Sequence, residues 1–88
     1  MTTQEKELLR RAALEILAAR QGIALAVPGI ARRLRTEVDF KFTADELGAE
    51  LGFLKGLGLV ESEYDDLGST VYWRVTARGV LHYERKLN

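Results

Sequence analysis

The sequence predicts a small α+β domain: a three-helix core, a short antiparallel sheet built around one hairpin, and a C-terminal helix. Three observations predict it. Apolar residues recur at helical spacing in two well-capped segments, one from Thr2 through Leu17 with Gly22 following, the other from Thr43 to Gly58. Two strand-like runs, Leu59–Tyr64 and Thr70–Val75, flank the turn-rich Asp65, Asp66, Leu67, Gly68 and Ser69. The chain has 88 residues, enough for one core and too few for two, so residues 1–88 are read as a single domain.

The first helix opens on Thr2 and Glu5, which can form a capping box. It continues through Leu8, Leu9, Ala12, Ala13, Ile16 and Leu17, an apolar face broader than one packing partner needs, and Gly22 is placed as its C-terminal cap. Ile23, Leu25 and Val27 alternate and predict a short strand that joins the hairpin in a three-stranded sheet. Pro28 suits the first turn of a second helix, where its missing N–H is not needed. Ile30, Ala31 and Leu34 bury that helix, leaving Arg32, Arg33 and Arg35 mostly outside. Glu37–Phe42 is ambiguous; the alternation of Val38, Phe40 and Phe42 fits an extended connector whose aromatics plug the core.

The third helix has the best local signals. Thr43 and Glu46 make a second capping box, Phe42 and Leu47 stand where a hydrophobic staple forms, and Leu47, Leu51 and Leu54 give the buried stripe. Gly58 ends it in a left-handed cap, with Leu59 folding back on Leu54. Val71, Trp73 and Val75 share the inward face of the second hairpin strand. Thr76 then caps a last helix with Val80, Leu81 and Leu87 on one side.

The run Leu51–Val60 (LGFLKGLGLV) and the step Val75, Thr76, Gly79 resemble the end of the recognition helix and the passage from the wing to the C-terminal helix in winged helix-turn-helix regulators of the MarR and PadR types. Leu54, Gly58, Leu59 and Val60 carry the first match. With the order of elements, the resemblance covers nearly the whole chain. The connector Thr36–Phe42 departs from it, being longer than the tight turn usual there. The resemblance implies a DNA-associated regulator whose third helix enters the major groove and whose wing grips the flanking backbone.

Charge complicates that implication. The chain is formally neutral, but residues 1–36 carry +4, residues 37–66 carry −7 and residues 67–88 carry +3. With the leucine stripe inside, the outer face of the third helix is expected to show Asp45, Glu46, Ala49, Glu50 and Phe53, and the wing adds Glu61, Glu63, Asp65 and Asp66. Carboxylates near phosphates repel, so DNA contacts are assigned instead to Arg10 and Arg11 of the first helix with Arg32, Arg33 and Arg35 of the second. The competing account of those arginines is a solvated surface paired with nearby carboxylates. The alternative function is a protein-interaction module in which Asp45, Glu46, Ala49, Glu50 and Phe53 meet a basic protein partner.

Gly48, Gly52 and Gly56 stand four apart on the third helix. Each weakens the helix by about 1 kcal/mol relative to alanine, which predicts close packing against the first or second helix, or else close approach of a partner backbone.

Nothing points to catalysis, a cofactor or a metal. There is no cysteine, and His82 has no second histidine with which to form a dyad or ligand pair. The turn Asp65–Gly68 lacks calcium-loop spacing, and the glycines lack the ending of a phosphate loop. The absence of cysteine and of a long apolar run predicts a soluble cytoplasmic protein with no membrane association. The broad first helix predicts a homodimer through the terminal helices.

Overall fold

The computed structural model describes residues 1–87, with side chains through Arg85. The elements run α1 (Thr3–Ala18), β1 (Leu25–Ala26), α2 (Val27–Leu34), α3 (Ala44–Gly56), β2 (Val60–Tyr64), β3 (Val71–Val75) and α4 (Ala77–Leu87). The strands form one antiparallel sheet in the order β1-β3-β2, with Leu25 opposite Trp73 and Val60 opposite Val75. The helices enclose a core centred on Leu9, Leu17, Ile30, Leu34, Leu47 and Leu51, all fully buried.

Local chemistry sets most of the boundaries. Both capping boxes form: the Thr2 and Thr43 hydroxyls accept from the amides of Glu5 and Glu46, whose carboxylates accept from the threonine amides in return. At the end of α3, the Leu59 amide donates to the Leu54 carbonyl and the Gly58 amide to the Lys55 carbonyl. This pattern needs a left-handed residue between helix and strand, and Gly58 supplies it at φ +77°. Trp73 and Val75 are buried and Val71 packs on the core, the inward face expected of them. Thr76 caps α4 by accepting from the Gly79 amide.

Three expectations are corrected. The strand at Ile23–Val27 shrinks to Leu25–Ala26, because Pro28 draws Val27 into the first turn of α2 and Ile23 lies exposed in the preceding turn. Gly22 is not the cap of α1: the helix ends at Ala18 with Ala19 as cap, and Gly22 serves the following turn, in which the Ile23 amide donates to the Arg20 carbonyl. Val80 packs on the core as expected, but Leu81 is 52% exposed and Tyr83 packs in its place; the Leu87 side chain lies outside the described residues. The connector carries no regular element, and Phe40 and Phe42 pack against the core from it, as expected.

Candidate nucleic-acid interface

α3 buries four residues, and one of them is charged. Glu50 is only 6% exposed, beside Leu47, Leu51 and Leu54. Its carboxylate accepts a 2.5 Å hydrogen bond from Arg10 Nε on α1. The Arg10 guanidinium also lies over the Phe53 ring, 3.7 Å from its centroid. Glu50 is therefore not on the outer face, Arg10 is not a free surface cation, and Phe53, 46% exposed, has one face covered. Sequence reasoning missed this cluster because its partners stand 40 positions apart, beyond the reach of periodicity. A buried carboxylate without a partner is strongly disfavoured, so the pair ties α1 to α3.

The outward face of α3 is consequently thin. Its acids are Asp45, exposed, and Glu46, whose carboxylate is engaged in the capping box and lies 3.9 Å from the Met1 amine. Donation from the Thr43 amide is the main cause that holds the Glu46 carboxyl below its ordinary value of 4.5; the Thr43 hydroxyl, the N-terminal amine and Lys6 add to it against desolvation. Ala49 is exposed beside them. A Cβ built on Gly48, Gly52 or Gly56 meets nothing within 4 Å, so these glycines do not serve close packing against α1 or α2. They leave the helix backbone bare over three turns. Lys55 adds one cation at the far end, bonded to the Ser62 hydroxyl at 2.9 Å.

α2 carries the opposite charge. Arg32 and Arg35 are exposed, and Arg33 is half-buried with Nη1 donating to the Gly29 carbonyl at 2.9 Å. Among the described residues the ion pairs are Met1–Glu46, Arg10–Glu50, Arg74–Glu61 and Arg74–Glu63, so no carboxylate pairs with the α2 arginines. Arg11 is exposed on α1, where it lines two grooves together with Glu15. The larger groove, about 620 Å³, lies among α1, the end of α3 and α4, with Phe53, Leu57 and Tyr83 on its walls and His82 at its side. No three potential metal ligands come together among the described residues.

In the β2–β3 hairpin, the Arg74 guanidinium is held between Glu61, at 3.1 Å, and Glu63, at 2.5 Å. The tip is a closed turn: Asp65 Oδ1 accepts from the Leu67 and Ser69 amides, the Gly68 amide donates to the Asp65 carbonyl, and Gly68 is left-handed.

No family model and no curated protein sequence matches the chain. Solved structures do. A DNA complex of MepR from S. aureus superposes with a TM-score of 0.76 at 18% identity, over 96% of this chain and 65% of that one. A PadR family transcription regulator from Clostridium difficile gives 0.73 at 19% identity, over 90% and 82%. A mutant of ZitR from Lactococcus lactis gives 0.70 at 19% identity, over 90% of this chain and 49% of that one, so the chain spans about half the length of that structure. The chain folds as a winged helix. The β2–β3 hairpin is its wing, and α3 is the helix that leads into it. The wing arginine is held by two carboxylates, and α3 has few side chains to present outward.

Proposed function

We propose that this winged helix is a DNA-associated, transcription-regulator-like domain whose DNA contact comes from α2 and α1, with Arg32, Arg33, Arg35 and Arg11 facing phosphates. The observation that carries the reading is the trio of α2 arginines without a carboxylate partner among the described residues. Each can exchange its counterions for phosphate contacts. The inward turn of Glu50 also removes one of the acids that weighed against approach of α3 to DNA. Arg10 is left out of the interface because Glu50 already holds it. No helix of the described residues is long and apolar enough to cross a membrane, and the reading takes the domain to act in the cytoplasm.

The test is binding to a mixed-sequence duplex across a salt series. Replacing Arg32, Arg33 and Arg35 with alanine should weaken binding and flatten its salt dependence by about one unit of slope per lost phosphate contact. No binding at low salt, where attraction is least screened, would reject the reading. In that case the interaction module stands, with Asp45, Glu46, Ala49 and Phe53 as its surface, because Phe53 and the bare face of α3 are open to a partner.

Self-association through the terminal helices is part of the proposal. Leu8 on α1 and Leu81 on α4 are exposed at 42% and 52%. A sedimentation mass that stays near 9.9 kDa at high concentration would rule the dimer out.

A further inference from the structure

Among the described residues the wing tip is the most exposed apolar feature. Leu67 is 90% exposed and Tyr64 is 69% exposed. The backbone turn that displays them is closed: the Leu67, Gly68 and Ser69 amides donate to Asp65, and the Asp65 amide donates to the Thr70 carbonyl. A rigid element loses little conformational freedom when it docks. The hairpin carries Glu61, Glu63, Asp65 and Asp66 against Arg74 alone, a net charge of −3; Glu61 and Glu63 hold Arg74 on the face of β2 opposite Tyr64, so Asp65 and Asp66 are the acids at the tip itself. That charge repels phosphates and anionic lipid surfaces alike, so a contact made by this tip favours a cationic protein surface.

Such a surface is present on the chain itself. Arg32, Arg33 and Arg35 make a patch of +3 on α2 with no carboxylate partner among the described residues. Arginine suits both features of the tip: its planar guanidinium can stack on the Tyr64 ring, and its methylene stem can cover Leu67 while the charged end meets Asp66. The chain is neutral overall although its two patches are strongly charged, so a second copy offers each patch its opposite.

We propose that the wing tip of one copy, through Tyr64, Asp66 and Leu67, docks on the α2 arginines of a second copy. The contact is head-to-tail and distinct from the terminal-helix dimer. It uses the same arginines as the DNA reading and rests on their being available, so DNA and a second copy's wing compete for α2. Self-association by this route then lowers DNA occupancy as protein concentration rises.

The experiment is sedimentation of the full chain at low and high salt, with charge-swapped variants at both patches. The wild type should self-associate at low salt and dissociate as salt is added. Asp66→Arg and Leu67→Ala should each weaken association, by roughly tenfold for the charge reversal. Arg32→Glu with Arg35→Glu should weaken it as well, and mixing that variant with Asp66→Arg should restore association that neither shows alone. A monomer at low salt overturns the proposal. So does a dimer insensitive to salt and to Asp66→Arg, which would leave the terminal-helix dimer standing. Failure of the DNA reading shows separately, as absence of duplex binding at protein concentrations where the chain is monomeric. A circular-dichroism spectrum for each variant separates lost association from lost folding.

Discussion

Four glycines with the same side chain face opposite surroundings. A Cβ on Gly79 would lie 2.0 Å from the Leu59 carbonyl oxygen and 2.7 Å from Val75 Cγ2. The first of these is backbone and cannot step aside. Gly79→Ala should therefore destabilise by about 3 kcal/mol or more, read as a lower urea midpoint. On α3 the sign reverses: Gly52→Ala meets no atom within 4 Å and should stabilise by about 0.5–1 kcal/mol through helix propensity alone. If the same substitution also weakens binding to DNA or to a protein, the bare helix face is a working surface. Glu50 is the other position where environment decides. Glu50→Ala removes the buried partner of Arg10 and should cost about 2–4 kcal/mol in chemical denaturation, toward the lower end because the Arg10 side chain is a quarter exposed. A charge reading of the sequence, with Glu50 on the surface, leads instead to stronger nonspecific DNA binding for Glu50→Gln. The buried pair makes instability the primary outcome.

Among the elements, α3 depends on pH through its cap. The folded state holds the Glu46 carboxyl below 4.5, so its contribution is present above that value and is lost as pH falls through the folded value. Stability measured below pH 4.5 should thus decline, and Glu46→Gln, which keeps a side-chain acceptor for the Thr43 amide, should shallow that decline. The wing offers a functional counterpart. Removing both carboxylates that hold Arg74, as Glu61→Gln with Glu63→Gln, should free a cation and raise affinity for duplex at low salt. The caps, the left-handed Gly58 and the hairpin turn were legible in the sequence because each is fixed by residues three to five positions apart. The reach of β1, the exposure of Leu81 and the partner of Glu50 were not. β1 is cut short by a competing local signal, Pro28 drawing Val27 into α2, whereas Leu81 and Glu50 are decided by elements distant in sequence, the core on which α4 packs and Arg10 on α1. The glycines of α3 misled for a related reason. Their spacing signals missing side chains, but only the surroundings tell whether the space is filled or open.

At the scale of the whole molecule, the segregation of charge was legible from composition by segment, and the fold keeps an acidic wing and a basic α2 that forms no ion pair among the described residues. How those faces combine on a partner depends on three-dimensional placement that no local pattern encodes. The fold also contains a joint. The Thr76 amide donates to the Leu59 carbonyl, the Thr76 hydroxyl donates to the Gly58 carbonyl at 2.7 Å, and Gly79 lies against Leu59 with no room for another atom. The end of α3, the root of the wing and the start of α4 are thereby welded within a few residues of one another. Mechanically, α4 is a lever fixed to the end of α3 with no slack at the fulcrum. A force that swings its far end must tilt α3 and the wing together as one body. Hydrogen exchange can read that stiffness: the amides of Leu59 and Thr76 should open only when the whole domain unfolds, with the same free energy and the same denaturant dependence as the global transition.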